Sequence, residues 1–359
     1  MLTVSGSAVA LFVFCFVGSV QEGLDRLTSQ KDSTLIVFQA NKFCPATSHL
    51  PQDYDQIIGN MNGVREVVPI QVFTNNCRAS LDVVVFYGVP AKKIQRIRDF
   101  ELIEGSWSDF ESNQDTGIVG EAVARRRHLK VGTKFSVGEV KVTVAGIFNS
   151  ADKSEEDYVY THLDFLQRTP GMNLVGTVTQ HEVFLEDSVD PITVARVIDD
   201  QFRGGPVETD TRTKGVFQAS SLADLVELIE LSHYLGYACI GLMTMLISTT
   251  TFMAVQDRIK EHSVLQTLGF SGSIVFILVL AESILISVGG GLVGTGLAML
   301  TLASSGLSVG AEAVTIAFSP SVRLAVAGLT GSLAVGCAAG VLPALAAARA
   351  DIVTGLRQA

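Results

Sequence analysis

Residues able to do chemistry are few and scattered in this 359-residue chain. Gly306, Ser308 and Gly310 spell G-x-S-x-G, the pattern of a hydrolase elbow, in which a strand delivers a serine to a downstream histidine. No histidine follows Ser308, so the pattern lacks its base. The six histidines, His49, His128, His162, His181, His233 and His262, form no H-E-x-x-H motif or carboxylate pairing and read as scattered surface residues. G-x-x-x-x-G-K-[ST] is absent too; the nearest fragment, Gly132 to Lys134, lacks the first glycine of a phosphate-cradling loop. The expectation is a chain without catalytic residues, metal or bound cofactor.

Two cysteines, one basic cluster and one acid stand out. Cys15, Cys239 and Cys337 lie in apolar runs, where a thiol acts as a small apolar filler. Cys44 and Cys77 lie in the polar middle of the chain. A disulfide between them would contribute about 3–4 kcal/mol in an oxidising compartment; two separate buried thiols are the alternative. Arg125, Arg126, Arg127 and His128 form the densest positive patch, read as a solvated helical face, with a partner or anionic-lipid contact as the alternative. Glu282 sits inside an apolar run, where an acid costs a few kcal/mol unless it is paired, neutral or interfacial. A structural acid at a loop elbow and a mechanical role both fit it.

The elements that must position these residues follow from hydropathy and charge. Hydrophobic residues make up 48% of the chain and charged ones 17%, against about 25% charged in ordinary soluble domains. Four runs, 1–20, 231–255, 273–302 and 323–348, are apolar enough and long enough to cross a bilayer core of about 30 Å. No basic residue precedes the first, as a secretory signal requires, so it reads as a retained helix. Residues 21–230 hold 21 basic and 31 acidic side chains, and residues 231–359 hold five of each. An acidic balance without a basic stripe gives no footprint for nucleic acid. Arg258 and Lys260 in the segment 256–272, and Arg349 and Arg357 in the tail 349–359, contrast with a loop 303–322 that has no Lys or Arg. The positive-inside rule therefore puts the segment and tail in the cytoplasm and residues 21–230 outside.

The fold class expected is an α+β membrane protein: four transmembrane helices, with a large extracytoplasmic α+β domain between the first and second. Its two lobes are drawn from about 34–100 plus 180–225, and from the stretch inserted between them. Residues 34–40, 67–73 and 81–87 read as strands, and 51–61, 91–98 and 191–202 as helices. The segment 256–272 reads as one amphipathic helix: Val264, Leu265 and Leu268 fall within about 100° of one another. Gly269 supplies its left-handed stop. Such a face needs a partner groove or a lipid surface. Gly290 with Gly294, and Gly336 with Gly340, are small-x-x-x-small pairs that let helices approach closely, within one chain or between two.

The order of these parts resembles the FtsX-like, or MacB-type, permease family of ABC transporters. The run QDRIKEHSVLQTLGFSGSIVFILVLAESILIS resembles the family pattern through Asp257, Arg258, Glu261, Leu265, Leu268, Gly269 and Glu282. The tail AGVLPALAAARADIVTGLRQA does so through Pro343, Ala344, Asp351, Leu356 and Arg357, and IVGEAVARRRHLKVGTKFSV resembles the outer-domain core. Family members usually begin with a cytoplasmic basic stretch, whereas MLTVSG opens directly on the apolar run. The resemblance implies an inner-membrane permease subunit whose ATP and magnesium are bound by a separate ABC ATPase of the LolD/MacB-like kind. Arg258, Glu261, Val264, Leu265, Leu268 and Gly269 would form the coupling helix on that ATPase. It also implies a homodimer or pairing with a related permease subunit, a periplasmic adaptor as a further partner, and export of lipoproteins, peptides or drugs. The alternative is an FtsX-like scaffold that switches on a wall hydrolase without moving a substrate.

Overall fold

The computed structural model describes residues 2–29, 33–42, 47–74, 84–98, 100–150, 152–169, 174–187, 189–305, 308–311, 314–318 and 320–349. Cys44, Cys77, Asp351, Leu356 and Arg357 lie outside the described residues. The chain divides into two compact units: residues 1–21, 228–305 and 319–359 form one, and residues 22–227 with 306–318 form the other.

The first unit holds the greater part of the long apolar helices α1 (Leu2–Ser29) and α9 (Ala223–Asp257) and the whole of α11 (Gly272–Ser305) and α12 (Val322–Ala348), with the short α10 (Ile259–Thr267) between α9 and α11. Among the described residues, four stretches are long and apolar enough to be membrane spans: Thr3–Gly23, Tyr234–Asp257, Gly272–Ser304 and Val322–Ala348. The third has 33 residues. At 1.5 Å per residue it is about 50 Å long, so it must tilt or run past a core of about 30 Å.

The second unit is built on a ten-stranded sheet. Its elements in chain order are β1 (Thr34–Gln39), β2 (Leu50–Pro51), α2 (Tyr54–Gly59), β3 (Val64–Thr74), β4 (Val85–Val89), α3 (Ala91–Ile97), β5 (Phe100–Gly105), α4 (Trp107–Ser112), β6 (Thr116–Gly120), α5 (Glu121–Arg127), β7 (Lys134–Val137) and β8 (Val140–Ser150). A 3-10 turn (Glu155–Asp157) follows, then β9 (Tyr158–His162), α6 (Leu163–Gln167), β10 (Thr177–Val178), β11 (Gln180–Leu185), α7 (Pro191–Phe202), β12 (Thr209–Thr213) and α8 (Lys214–Ser221). The strands run β12-β1-β11-β3-β4-β9-β6-β8-β5, with β7 on β8.

The two lobes share one strand. The first part of β3 pairs with β11, from Val64 to Ile70, and Gln71 to Thr74 pair with β4. Apolar β-branched and aromatic runs make these strands, because both of their faces are covered. In one lobe Leu35, Val37, Val67 and Val183 pack against Ile58 of α2 and Ile198 of α7; in the other Phe86, Val119, Val142 and Val159 pack against Val123 of α5. A third cluster, including Ile70, Tyr87, Phe148 and Tyr160, crosses the junction.

Two expectations need correction. The helix read over 51–61 starts only at Tyr54, because Leu50 and Pro51 pair with Val178 and Thr177. The stretch 303–322, read as a loop, begins inside α11 and contains a hairpin of β13 (Ser308–Ala311) and β14 (Val314–Ala317), which belongs with residues 306–318 to the outer unit.

Candidate functional site

The elbow between α9 and α11 is made by two local breaks. Arg258 leaves helical geometry (φ −104°, ψ 17°), ending α9 and opening α10. At the other end Gly269 adopts φ +96°, where a side chain would be strained. Its N–H donates to the Gln266 carbonyl at 3.1 Å and the Phe270 N–H donates to the Leu265 carbonyl at 3.2 Å, the paired bonds of a Schellman stop. His262 and Ser263 face inward, while Val264 (47% exposed) and Leu268 (72% exposed) stand open, followed by exposed Phe270 and Ile274. Leu265, expected on the open face, is half-buried, since it lies one turn beyond His262 and shares its inward side. Glu261 is exposed.

Glu282 on α11 lies 3.8 Å from Arg258 Nη1, and both side chains are partly exposed. The pair ties the elbow to the third span. Glu282 also lines an apolar groove of about 880 Å³, together with Val4, Ile274, Ile277, Leu278 and Leu285. Deeper in the spans, the glycine pairs sit at helix contacts within this chain. A Cβ on Gly290 would lie 2.3 Å from Ser7 Oγ, and one on Gly294 would lie 2.2 Å from the Ala8 carbonyl oxygen, so α1 rests directly on α11. Gly336 and Gly340 meet Ile284, Ser287 and Ser283 in the same way across α11 and α12. Hydroxyls stitch the contact: Ser287 donates to the Ser332 carbonyl at 2.6 Å, and Ser7 donates to the Ser287 carbonyl at 3.3 Å.

The outer unit contains a buried ionic cluster that no sequence pattern announces. Arg98, just after α3, donates from Nη2 to both Glu182 oxygens at 2.7 and 2.8 Å and from Nε to the Tyr160 hydroxyl at 3.2 Å. Glu155 lies 3.6 Å from Arg98 and 3.8 Å from Lys214. Burial works to lower the guanidinium pKa, but Glu182, Tyr160 and Glu155 outweigh it and hold it well above its ordinary value. These partners come from β11, β9, the 3-10 turn and α8, so the cluster crosslinks both lobes.

Arg126 forms a second link. Charge density alone suggests a solvated face for it, yet its Nη1 donates to Asp157 Oδ1 at 2.9 Å and to Ser308 Oγ at 3.1 Å, while its neighbour Arg125 is 52% exposed. Asp157 is fully buried, and burial pushes its carboxyl up to about 6 against the pull of Arg126. The histidines also differ from expectation. His181 is fully buried, with Nε2 3.2 Å from the Pro51 carbonyl, and burial lowers its imidazole to about 4; His262 is buried as well. Among the described residues no three His, Cys, Asp or Glu side chains gather as a metal site.

Residues 1–201 match the family model of the MacB-like periplasmic core domain, and residues 235–352 match that of the FtsX-like permease C-terminal region. An uncharacterized ABC transporter permease of Methanocaldococcus jannaschii is 21% identical over 319 residues, covering 84% of this chain and 79% of that protein. The periplasmic region of MacB from Actinobacillus actinomycetemcomitans aligns with a TM-score of 0.40 and 11% identity over 55% of this chain and 94% of that one. For the extracellular domain of the ABC-type transporter YknZ from Gram-positive bacteria the TM-score is 0.36 and the identity 17%, over 50% and 100% of the two chains.

Proposed function

This chain belongs to the MacB-type, FtsX-like permease family of ABC transporters, and from that premise we propose that it is the non-catalytic subunit turning ATP hydrolysis on a separate ATPase into motion of its outer domain. Four spans with a periplasmic-type core domain make it a multi-pass membrane protein with an extracytoplasmic domain. The observation that carries the proposal is the open apolar face of α10, held by the Gly269 stop. Burying Leu268 in a groove of a partner would contribute about 1.5–3 kcal/mol. Export of lipoproteins, peptides or drugs is the transport reading we favour.

The test is capture of the cognate ABC ATPase by the full chain in lipid nanodiscs. Leu268→Glu should weaken capture about 100-fold or more, since it removes that burial and asks a carboxylate to enter an apolar site. Leu265→Glu should also disturb the elbow itself. Wild-type capture and stimulated ATP hydrolysis by the Leu268→Glu protein would overturn the assignment of α10. A helix that only rests on lipid would show altered membrane insertion in this variant, with capture intact.

A further inference from the structure

The hairpin β13–β14 is joined to the third and fourth spans by very short connectors. Residues 306–307 separate Ser305 from Ser308, and residues 318–321 separate Ala317 from Val322. The Cα atoms at the two joints are therefore no more than about 11 Å and 18 Å apart, even with the chain fully extended. Two strands of four residues do not hold together alone in water. What holds these is the outer unit.

The attachment has three independent parts. Ser308 accepts from Arg126 at 3.1 Å. Thr315 donates to the Ser154 carbonyl at 2.8 Å and is also bonded to the Tyr158 hydroxyl. Ile316 and the Ala317 carbonyl lie against Gly23 of α1 so closely that a Cβ there would be 2.6 Å from Ile316. Val314, Thr315, Ile316 and Phe318 are buried, at 3%, 1%, 1% and 5% exposure.

We propose that this hairpin is a strut, fastened to the outer domain at Arg126, Ser308, Ser154 and Thr315, that makes the adjoining ends of α11 and α12 follow the outer domain when it moves. This rests on reading the chain as a transmitter of motion. It adds a route through the third and fourth spans to the one through α1 and α9, whose continuous helices lead into the outer unit along the chain. The strut works in both directions, so a load on the outer domain is felt by the helix pair that carries Glu282.

The test uses the full chain in nanodiscs with the hairpin double variant Ser308→Ala, Thr315→Val. Deuterium uptake of residues 308–318 should rise at least about ten-fold in rate, with β3 and β11 unchanged. Ketone-linked spin labels at the exposed positions Ile103 and Val322 should give one narrow distance distribution in the parent and a broadened one in the variant. Unchanged hairpin exchange would overturn the fastening. Faster hairpin exchange with an equally narrow distribution would overturn the strut. If the double variant also loosens β3 and β11, Ser308→Ala alone is read by the same two measurements. Neither readout involves an ATPase, so failure of the parent to capture one would sink the proposed function while leaving the strut decided on its own data.

Discussion

Lowering the pH should tighten the hairpin, not release it. Asp157 is the group responsible, with a carboxyl raised from 3.8 to about 6 by burial. The charged groups that bear on it are Arg126 from α5, which favours the ionised form, and Glu156 from its own turn, which opposes it; among the described residues of the hairpin, the neutral Ser308 bonds to it. A group whose folded pKa is raised contributes stability that is complete below the unfolded value and is lost as pH rises through the folded one. If undocking the hairpin returns Asp157 to water and to 3.8, docking is about 4-fold more favourable at pH 5.5 than at pH 7.5, and about 10-fold at pH 5.0. The assay is hydrogen exchange of the hairpin amides in the full chain, with rates corrected for their intrinsic pH dependence. Protection should rise about 4-fold between pH 7.5 and 5.5 in the parent and stay flat in Asp157→Asn. A simple ion-pair picture, in which protonating Asp157 breaks its hold on Arg126, gives the opposite sign. Protection that falls on acidification, or a pH dependence that survives in Asp157→Asn, would refute the reasoning.

Two further outcomes are expected. Gly294→Ala places a methyl 2.2 Å from the Ala8 carbonyl oxygen and should cost about 1–3 kcal/mol, whereas Gly296→Ala meets nothing within 4 Å and should be neutral or better; thermal unfolding of the detergent-purified chain compares them directly. Arg98→Met should destabilise the outer domain by about 3–5 kcal/mol because it strands the buried Glu182, and adding Glu182→Leu should restore most of that. Denaturation followed by Trp107, the sole tryptophan, reads this in the full chain; equal loss in the single and double variants would contradict it.

The spans were legible because bilayer thickness demands apolar runs that no soluble element of this chain needs. The end of α10 was legible for a similarly local reason: Gly269 follows one amphipathic turn, and the backbone uses it at φ +96°. Which side of α10 faces outward was harder, since Leu265 and Leu268 look alike until His262 fixes the buried side. The ionic cluster was invisible. Arg98 meets Glu182 across 84 positions, and neither has a neighbour whose spacing hints at the pairing. The hairpin escaped for two reasons: four-residue strands are too short to display a period, and its partner Ser154 is 161 positions away from Thr315. Within Arg125–Arg126–Arg127, charge density suggested a solvated face, whereas the buried Asp157 and the distant Ser308 draw Arg126 inward while Arg125 stays 52% exposed.

The origin of the hairpin late in the chain also bears on biogenesis. All ten strands of the outer sheet precede Ala223, so a growing chain has the whole sheet before its second span is made. Its surface around Ser154, Asp157 and Tyr158 must then wait for residues 308–317, which reach the outer side only if the third span has threaded outward. A third span inserted backwards would leave the hairpin in the cytoplasm and that surface bare. The outer domain is thereby completed only when the helices synthesised after it are threaded in the right direction.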